Sequence, residues 1–454
     1  MENMGSAAKA IQAPSFVPVE HREFIASSLQ VDPKIADKVV KDITSMKLFI
    51  VLITFIFFLS TNAQAQNKAA IEKEYKRWLI QHIWPQAQSK GISRDTFDTA
   101  FLGVTLNWEL PNLAPSGTKK LVPKDHKQAE FSGPKKYFRH NSVNNATSVG
   151  RQIAKKYAKT LNAVEIKTGV PKRIILAIWG RESAYGRANI SYDAFEVLGT
   201  KAFMSTRKNY FEGELIAALQ IAQAKLAPNG QLKSSWAGAL GQPQFMPTNF
   251  FKYGTDGNSD GQVDIWTSEA DTIASIGTYL QQHGWIIGRD WGFEVTVPPS
   301  VSCTLEGPDQ GRQISKWQGM GIRRVSGRPF PDHELNGEGF LMMPAGRHGP
   351  SFIVTPNFYV LKKYNKSDLY ALFVGHIGDR IRYGVSDFTV HWDTSTKLHR
   401  SNIAEMQYSL ESLGHDVGGV DGLIGFKTRR SIGRWQEATE QKSTCFPTPN
   451  IKIK

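Results

Sequence analysis

Four segments between residues 151 and 284 carry apolar residues at the three- and four-residue spacing of an amphipathic helix. The segments are 151–164, 171–183, 212–226 and 271–283. Pro171 stands in the first turn of the second segment, where its missing N–H is not needed, and Gly284 closes the fourth. Helices with one apolar face bury that face against one another. The pattern therefore predicts a mainly α fold.

The stretch 293–361 has a different pattern. Short runs such as 293–297 and 352–355 are separated by many glycines and prolines, which predicts strands and turns. Residues 105–148 are rich in Pro, Asn, Ser and Lys and predict a long irregular segment. At roughly 150 residues per domain, a chain of 454 residues has room for about three domains.

A small unit follows a linker near residues 384–400. It has a predicted helix at 403–413, a glycine-rich turn at 418–425 and a second predicted helix at 427–436. A module of residues 400–440 is too small to build much of an active site, so we interpret it as a binding appendage followed by a tail at 441–454.

Residues 46–65 have the pattern of a secretory signal peptide. Lys47 precedes a short apolar run at 48–59, and the small residues Ala63 and Ala65 form a cleavage site. A helix of that length rises only about 18 Å, short of the roughly 30 Å hydrocarbon core of a bilayer. We predict cleavage after Ala65 and export to the periplasm, with an uncleaved signal anchor as the alternative. No cysteine follows the run, which excludes a lipoprotein anchor.

The signal begins at the internal Met46, so we interpret residues 1–45 as a mis-called N-terminal extension. Membrane contact is then limited to the transient signal peptide. The mature chain would begin at residue 66.

The chain carries 55 basic and 41 acidic residues, a net charge of +14, which predicts an anionic partner. Lys and Arg are spread along the chain rather than grouped in blocks. Export separates the chain from cytoplasmic nucleic acid, and cell-wall polymers are equally anionic. We therefore expect no nucleic-acid partner.

Cys303 and Cys445 are the only cysteines, so a four-thiolate zinc site is excluded. After export they could form a disulfide that ties the small module to the main body. The sequence gives no distance between the two sulfurs, and both states stay open.

Glu182 is the most informative ionisable residue. It follows Ile175 and Ile178 at helical spacing, which places its carboxylate on the apolar stripe of the segment 171–183. Desolvation and the negative end of the helix dipole both raise the pKa of such a carboxyl group, as a general acid near neutral pH requires. Two alternatives stay open: a side chain turned to solvent at a frayed helix end, and a pairing with Arg181 or Arg187.

Residues 235–247 mix small residues with Gln242, Gln244 and Phe245, side chains that can bind and stack against a sugar. A buried glycine-rich turn is the alternative.

Residues 256–264 match the first half of an EF-hand calcium loop. Oxygen-bearing side chains occupy positions 1, 3, 5 and 9, and Gly261 occupies position 6. Position 12 is Thr267 in place of the expected bidentate Glu, so Glu269 or Asp271 would have to supply that ligand. The alternative is an Asx-rich turn that needs no metal.

These motifs, together with residues 177–186 and 357–365, resemble the lytic murein transglycosylases of the membrane-bound B type, glycoside hydrolase family 103. The resemblance covers residues 68–392. Residues 413–429 are similar to the small three-helix peptidoglycan-binding domain that is often appended to such enzymes.

The resemblance implies a lysozyme-like helical catalytic domain within residues 66–395, with the calcium loop inside it, a mixed α/β accessory region and a three-helix module at 400–440. It implies an enzyme that cuts between N-acetylmuramic acid (MurNAc) and N-acetylglucosamine (GlcNAc) in peptidoglycan without water, leaving a 1,6-anhydro ring. Glu182 falls on the single acid/base. We expect a monomer that requires no cofactor for the chemistry.

Several other residues fall on the family's binding positions. The implied glycan contacts are Ser235, Gln244, Phe245, Tyr279, Tyr364 and Asn365. Arg207 matches one member of an arginine pair near the substrate, although its neighbour here is Thr206. The implied ligands of a structural calcium ion are Asp256, Asn258, Asp260, the carbonyl of Gln262, and Asp271.

Three alternatives remain. An ordinary muramidase would use a second carboxylate about 5 to 9.5 Å from the first, for which Asp193 and Glu196 are the nearest in sequence. A non-catalytic wall-binding protein and a nucleic-acid binder are the others.

If the small module only binds the wall, a chain stopped near Thr396 should still cleave soluble fragments.

Overall fold

The computed structural model describes residues 67–114, 137–392, 399–447 and 453. The predicted extension at 1–45 and the predicted signal peptide at 46–65 lie outside the described residues. The chain divides into two units, Met1–Arg77 and Trp78–Lys454. Residues 67–77 of the first unit are helical.

Helices build the part of the second unit that precedes the sheet. A π-helix, Leu79–Ile83, is followed by α1 (Trp84–Ser89), α2 (Arg94–Phe101), α3 (His140–Lys156), α4 (Ala158–Thr168), α5 (Lys172–Ser183), α6 (Ala194–Met204), α7 (Lys208–Gln223), α8 (Pro247–Tyr253) and α9 (Glu269–Gln282). Two short strands, β1 (Tyr192–Asp193) and β2 (Lys233–Ser234), pair antiparallel among them.

Helix α5 is the centre of this helical part. Every residue from Arg173 to Trp179 is buried, because α3, α4, α9 and the later helix α13 (Asp368–Tyr383) pack around it. Pro171 was predicted in the first turn and lies one residue earlier, at the N-cap of the helix. The predicted helices at 212–226 and 271–283 are confirmed as α7 and α9, with slightly different ends.

The predictions for residues 105–164 were partly wrong. The expected single helix at 151–164 is two helices that meet at Tyr157, and α3 begins at His140, inside the stretch predicted to be irregular. Its buried face is made of Val143, Thr147 and Gly150. Because Thr147 and Gly150 are not strongly apolar, the spacing of apolar residues did not predict this helix.

The accessory region contains a five-stranded antiparallel sheet. Its strands are β3 (Gly292–Thr296), β4 (Arg312–Gln313), β5 (Arg323–Arg324), β6 (Glu338–Met342) and β7 (Ser351–Val354), in the spatial order β4–β6–β7–β3–β5. The helices in or after them are α10 (Ile314–Gly319), α11 (Asp332–Leu335), α12 (Pro356–Tyr364) and α13. Trp317 is fully buried beneath this sheet and donates from Nε1 to the carbonyl of Gly339 at 2.8 Å. The predicted strands at 293–297 and 352–355 are confirmed as β3 and β7, whereas the helices α10, α11 and α12 were not predicted.

The C-terminal module has two helices in the part of the chain that the structure describes, α14 (Arg400–Ser412) and α15 (Phe426–Ala438), whereas the resemblance implied three. Leu410, Ile432 and Trp435 belong to its small core. The buried amide of Gln407 accepts from Gly422 N at 2.7 Å and donates to the Leu423 carbonyl at 3.0 Å, which fixes the glycine-rich turn.

The segment 441–447, interpreted from the sequence as part of a tail, packs into the accessory region. Cys445 forms a disulfide with Cys303, and both residues belong to the core that contains Trp317 and Ile353. The disulfide that the sequence left open therefore joins the end of the C-terminal module to the sheet.

Within the described residues, no helix combines the length and the apolar composition needed to cross a bilayer.

Candidate active site

Glu182 lies in the last turn of α5, where the backbone turns sharply out of the helix. Ala184, Tyr185 and Gly186 all have positive φ, at 50°, 61° and 79°. The Ala184 N–H still donates to the Gly180 carbonyl at 3.1 Å, so a left-handed cap ends the helix directly after the carboxylate. Glu182 is half-buried in this position.

The ring of Tyr185 folds back over the helix end. Its hydroxyl donates to the Ala146 carbonyl at 2.9 Å, and its ring meets the Trp179 ring edge-on at 5.6 Å. A Cβ on Gly180 would lie 2.5 Å from the Tyr185 ring, so this position requires glycine. These contacts hold the turn after Glu182 in one conformation.

Tyr370 is the partner of Glu182 that the sequence analysis missed. Its hydroxyl donates to Oε1 of Glu182 at 2.5 Å. Burial, followed by the negative charge of Glu182, raises the pKa of Tyr370 well above its usual value, so the phenol stays a hydrogen-bond donor. In the sequence, the only indication that Tyr370 belongs to the site was its position six residues after Tyr364.

The two arginines beside Glu182 make other contacts. The guanidinium of Arg181 lies 4.7 Å from the centre of the Tyr137 ring and 5.4 Å from that of Phe373. The Nε of Arg187 donates to the Ala184 carbonyl at 3.2 Å. These contacts direct both side chains to groups other than the carboxylate.

A row of aromatic rings leads to the Tyr370 hydroxyl. The rings of Phe245 and Tyr279 lie 5.6 Å apart, those of Tyr279 and Tyr364 4.7 Å apart, and those of Tyr364 and Tyr370 stack at 6.4 Å. The sequence placed three of these residues at glycan-binding positions, and the structure brings them together beside Glu182.

Two of these tyrosines are tied to backbone carbonyls. The Tyr364 hydroxyl donates to Pro243 O at 2.7 Å, and the Tyr279 hydroxyl donates to Lys363 O at 2.7 Å. Burial, then the charge of Glu182, raises the pKa of Tyr364 well above its usual value. Phe245 is only 1% exposed, so its ring supports the tyrosines and does not offer an open face for a sugar, unlike the sequence interpretation.

The glycine-rich residues 235–247 form a loop that packs against α5. Gln242 is buried, accepts from Trp179 Nε1 at 2.9 Å and donates to the Trp266 carbonyl at 3.1 Å. Gln244 has a positive φ of 54°, and its side chain donates to the Gly241 carbonyl at 3.0 Å. Gln242 thus holds the loop, while Gln244 remains partly exposed.

Three further residues that the resemblance implied as binding residues make contacts outside the row of aromatic rings: Ser235, Asn365 and Arg207. Ser235 Oγ accepts from Ala239 N at 3.3 Å within the glycine-rich loop. Asn365 is exposed directly after Tyr364 and accepts from Ser367 N at 3.0 Å. Arg207 is exposed at the start of α7, with its guanidinium 4.9 Å from the Tyr210 ring.

Asp193 and Glu196, the nearest carboxylates in sequence, have structural contacts. Asp193 caps α6 by accepting from Phe195 N at 2.9 Å and Glu196 N at 3.0 Å. Glu196 accepts from the side-chain amide of Asn107 at 2.6 Å. Both carboxylates therefore stabilise the helical part.

The residues of the predicted calcium loop accept hydrogen bonds from the loop backbone. Asp256 accepts from Gly261 N at 2.9 Å, and Asp260 accepts from Gln262 N at 2.9 Å. Fully buried Asp271 accepts from Gly257 N at 2.9 Å and Asp264 N at 2.7 Å, which joins the two ends of the loop. Backbone hydrogen bonds, chiefly from Gly261, lower the pKa of Asp256.

Asn258 accepts from Asp260 N at 3.0 Å within the same loop. Among the described residues, no three His, Cys, Asp or Glu side chains lie close enough together to hold a metal ion. The oxygen donors of the loop, which include the side chain of Asn258 and the carbonyl of Gln262, suit calcium. The calcium ligands therefore stay a prediction.

Residues 74–379 match the transglycosylase SLT domain, more than half of the chain and a range that includes both Glu182 and Tyr370. The chain belongs to this family. It is thus an enzyme, a lytic transglycosylase, as the sequence predicted.

Individual members of the SLT family are similar to this lytic transglycosylase over most of their length. Membrane-bound lytic murein transglycosylase B of Escherichia coli (strain K12) is 29% identical over 273 residues, 60% of this chain and 72% of that protein. The crystal structure of SltB3 from Pseudomonas aeruginosa in complex with NAG-anhNAM-pentapeptide is 34% identical, with a TM-score of 0.73 over 83% of this chain and 97% of that chain.

Soluble lytic transglycosylase SltB1 from the same organism is 26% identical, with a TM-score of 0.52 over 68% of this chain and 97% of that chain. The mainly helical fold with a small sheet region matches these neighbours, and the predicted fold class is confirmed.

Proposed function

We propose that this lytic transglycosylase cleaves the β-1,4 bond between MurNAc and GlcNAc in peptidoglycan without water, leaving a 1,6-anhydro-MurNAc end. The Escherichia coli relative is by name a murein transglycosylase, and SltB3 was solved with a fragment that contains anhydro-NAM. Both facts support the same substrate and product for this chain.

The observation that carries the proposal is a carboxylate that is oriented by a positioned hydrogen-bond donor. Glu182 lies at a helix end beside the buried aromatic row and accepts from Tyr370. The two candidates for a second carboxylate that are nearest in sequence have structural contacts: Asp193 caps α6, and Glu196 accepts from Asn107. A hydrolase would require a second carboxylate to activate water or to attack the sugar.

One residue then acts twice. Protonated Glu182 gives its proton to the leaving GlcNAc oxygen as the glycosidic bond breaks. The resulting carboxylate takes the proton from the 6-hydroxyl of MurNAc, whose oxygen bonds to the anomeric carbon and closes the anhydro ring. No water is consumed, and Glu182 ends protonated as it began. The Tyr370 hydroxyl fixes the orientation of the carboxyl group for both transfers.

The remaining site residues have narrower proposed roles. The residues proposed to contact the glycan are Ser235, Gln244, Tyr364 and Asn365. The rings of Tyr279 and Phe245 pack against the ring of Tyr364 and support it. Arg207 is proposed to contact an anionic group of the substrate. Its guanidinium is exposed, so an incoming ligand can reach it.

The proposed place of action is the periplasm, where peptidoglycan is found, after removal of the signal peptide. The C-terminal module is proposed to bind the same polymer, and the enzyme is proposed to act as a monomer. A net charge of +14 suits an anionic wall.

Mass analysis of the products tests the reaction. The protein is incubated with purified sacculi, and the soluble products are weighed. Anhydro ends make each product one water lighter than a hydrolysed fragment, and this is the expected result. Reducing ends as the main product would show that water attacks and that the enzyme is a muramidase.

A further inference from the structure

Two consecutive arginines of α15 join the C-terminal module to the accessory region. Arg429 is 3% exposed, and its Nε donates to both carboxylate oxygens of Glu306 at 3.0 Å. Arg430 donates to the carbonyl of Glu306 at 3.1 Å and to Asp309 at 2.8 Å. Glu306 is itself 1% exposed, so the module covers a charge that water cannot reach.

Arg429 also reaches the helix that carries Tyr370. Its Nη2 lies 3.4 Å from Oδ2 of Asp368, the first residue of α13. Lys362 donates to the other oxygen of Asp368 at 2.6 Å. Burial acts to raise the pKa of Asp368, and the charges of Lys362 and Arg429 outweigh it, so the pKa lies below its usual value.

Lys362 and Asp368, which form this ion pair, lie close in sequence to two tyrosines of the proposed site. Lys362 stands two residues before Tyr364, and Asp368 stands two residues before Tyr370. Ser367 caps α13 by accepting from Tyr370 N at 3.4 Å. Because a helix is stiff over one turn, a shift of Asp368 moves the Tyr370 hydroxyl by a similar amount.

We propose that Arg429 is a positioning residue that holds the start of α13 through Asp368, so that the Tyr370 hydroxyl stays on the Glu182 carboxylate. The C-terminal module then contributes to turnover as well as to attachment to the wall. This inference rests on the role proposed above for Glu182.

The test uses the full chain and a soluble, purified GlcNAc–MurNAc oligosaccharide, so that wall binding does not affect the rate. The double variant Glu306→Gln/Arg429→Gln removes the charge of Arg429 from Asp368, which keeps its bond to Lys362, and does not leave Glu306 as an unpaired buried charge. We expect kcat to fall by about 10- to 100-fold with KM unchanged, the loss typical of a misplaced catalytic hydroxyl.

Asp368→Asn is the second variant, and it leaves the Arg429–Glu306 pair intact. It should lower kcat in the same way even if the double variant does not fold. The matched control is Arg289→Gln/Glu334→Gln, which neutralises another buried pair in the accessory region, with exposed fractions of 14% and 0%. Its kcat should equal that of the wild type.

A double-mutant cycle separates positioning from general destabilisation. If Asp368 acts through Tyr370, adding Asp368→Asn to Tyr370→Phe should cause no further fall in kcat. Effects that multiply, a change confined to KM, or an unchanged kcat in the folded variants would each overturn the inference. A wild type that releases no anhydro product would instead refute the proposed function.

Discussion

The reaction proposed for Glu182 depends on neighbouring groups that keep one protonation state while Glu182 gains and loses its proton. The pKa of both Tyr364 and Tyr370 is raised by burial and by the neighbouring carboxylate, so neither phenol competes for the proton that Glu182 transfers. Tyr370 can therefore donate to the carboxylate without supplying a proton to the sugar. At the residue scale, the proposed site thus has one acid, Glu182, beside two hydrogen-bond donors whose protonation does not change.

Replacing Glu182 by Gln keeps the shape of the side chain and removes its transferable proton. We expect turnover on sacculi to fall by at least about 10²- to 10⁴-fold, since both transfers use this group. Binding to sacculi, measured by sedimentation, should persist. Residual activity above a few per cent would show that another group supplies the proton.

His376 provides a pH test of the fold. Burial, and then the charge of Arg380, lowers the pKa of His376 to about 4 from 6.5. The unfolded chain therefore binds a proton between pH 6.5 and 4 that the folded chain does not, so His376 makes the fold less stable as the pH falls through this range.

With about 1.4 kcal/mol per pKa unit, the loss reaches about 3 kcal/mol near pH 4. Urea unfolding at pH 7 and pH 4 should show a smaller loss for His376→Gln than for the wild type. Equal losses in the two proteins would contradict the prediction.

The place of Glu182 at a helix end could be predicted from the sequence because the signal is local: its spacing from Ile175 and Ile178 and the end of the apolar segment. Tyr370 could not, since it is 188 residues away and no spacing rule links the two. The burial of Phe245 was missed for a related reason. A ring that can stack on a sugar and a ring that supports a tyrosine look alike in sequence.

At the scale of elements, helices and strands followed their local patterns where the buried face was strongly apolar. Helix α5 was predicted within a residue because Pro171 and the aliphatic stripe agree. Helix α3 was missed because small and polar residues dominate its buried face.

Calcium is predicted to stabilise the loop that contains Asp256 and Asp260 without taking part in the chemistry. At a calcium concentration 100 times its Kd, the gain is about 2.7 kcal/mol, a rise in Tm of roughly 3 °C if a chain of 454 residues unfolds as one unit. Chelator should reverse the rise, and Asp256→Asn/Asp260→Asn should prevent it. An identical Tm with calcium and with chelator would identify the loop as an Asx-rich turn.

At the scale of the whole molecule, the C-terminal module is part of the folded body. The sequence suggested that a chain stopped near Thr396 would keep its activity on soluble fragments. The structure changes this expectation because truncation removes Arg429 from Glu306 and Cys445 from Cys303. Such long-range contacts have no signature in the sequence.

We therefore predict that the truncated chain loses most of its activity even on soluble glycan. Truncation removes the Cys303–Cys445 disulfide, and losing a native disulfide costs about 2–5 kcal/mol, a large share of the about 5–15 kcal/mol that stabilises a typical domain. Relative to the full chain, the truncated chain should show both a weaker helical signal in circular dichroism and a lower rate of cleavage of soluble oligosaccharide. A truncated chain that folds and keeps the wild-type rate would show that the module only binds the wall.

The bond between Cys303 and Cys445 has a consequence for proteolysis. It spans a sequence separation of 142 residues that includes Tyr370 and both helices of the module, whereas Glu182 lies outside it. A protease that cuts once within this span breaks the chain but releases no fragment, because the two pieces remain covalently linked. Under oxidising conditions the nicked enzyme keeps its full mass, and only a reductant would separate the pieces.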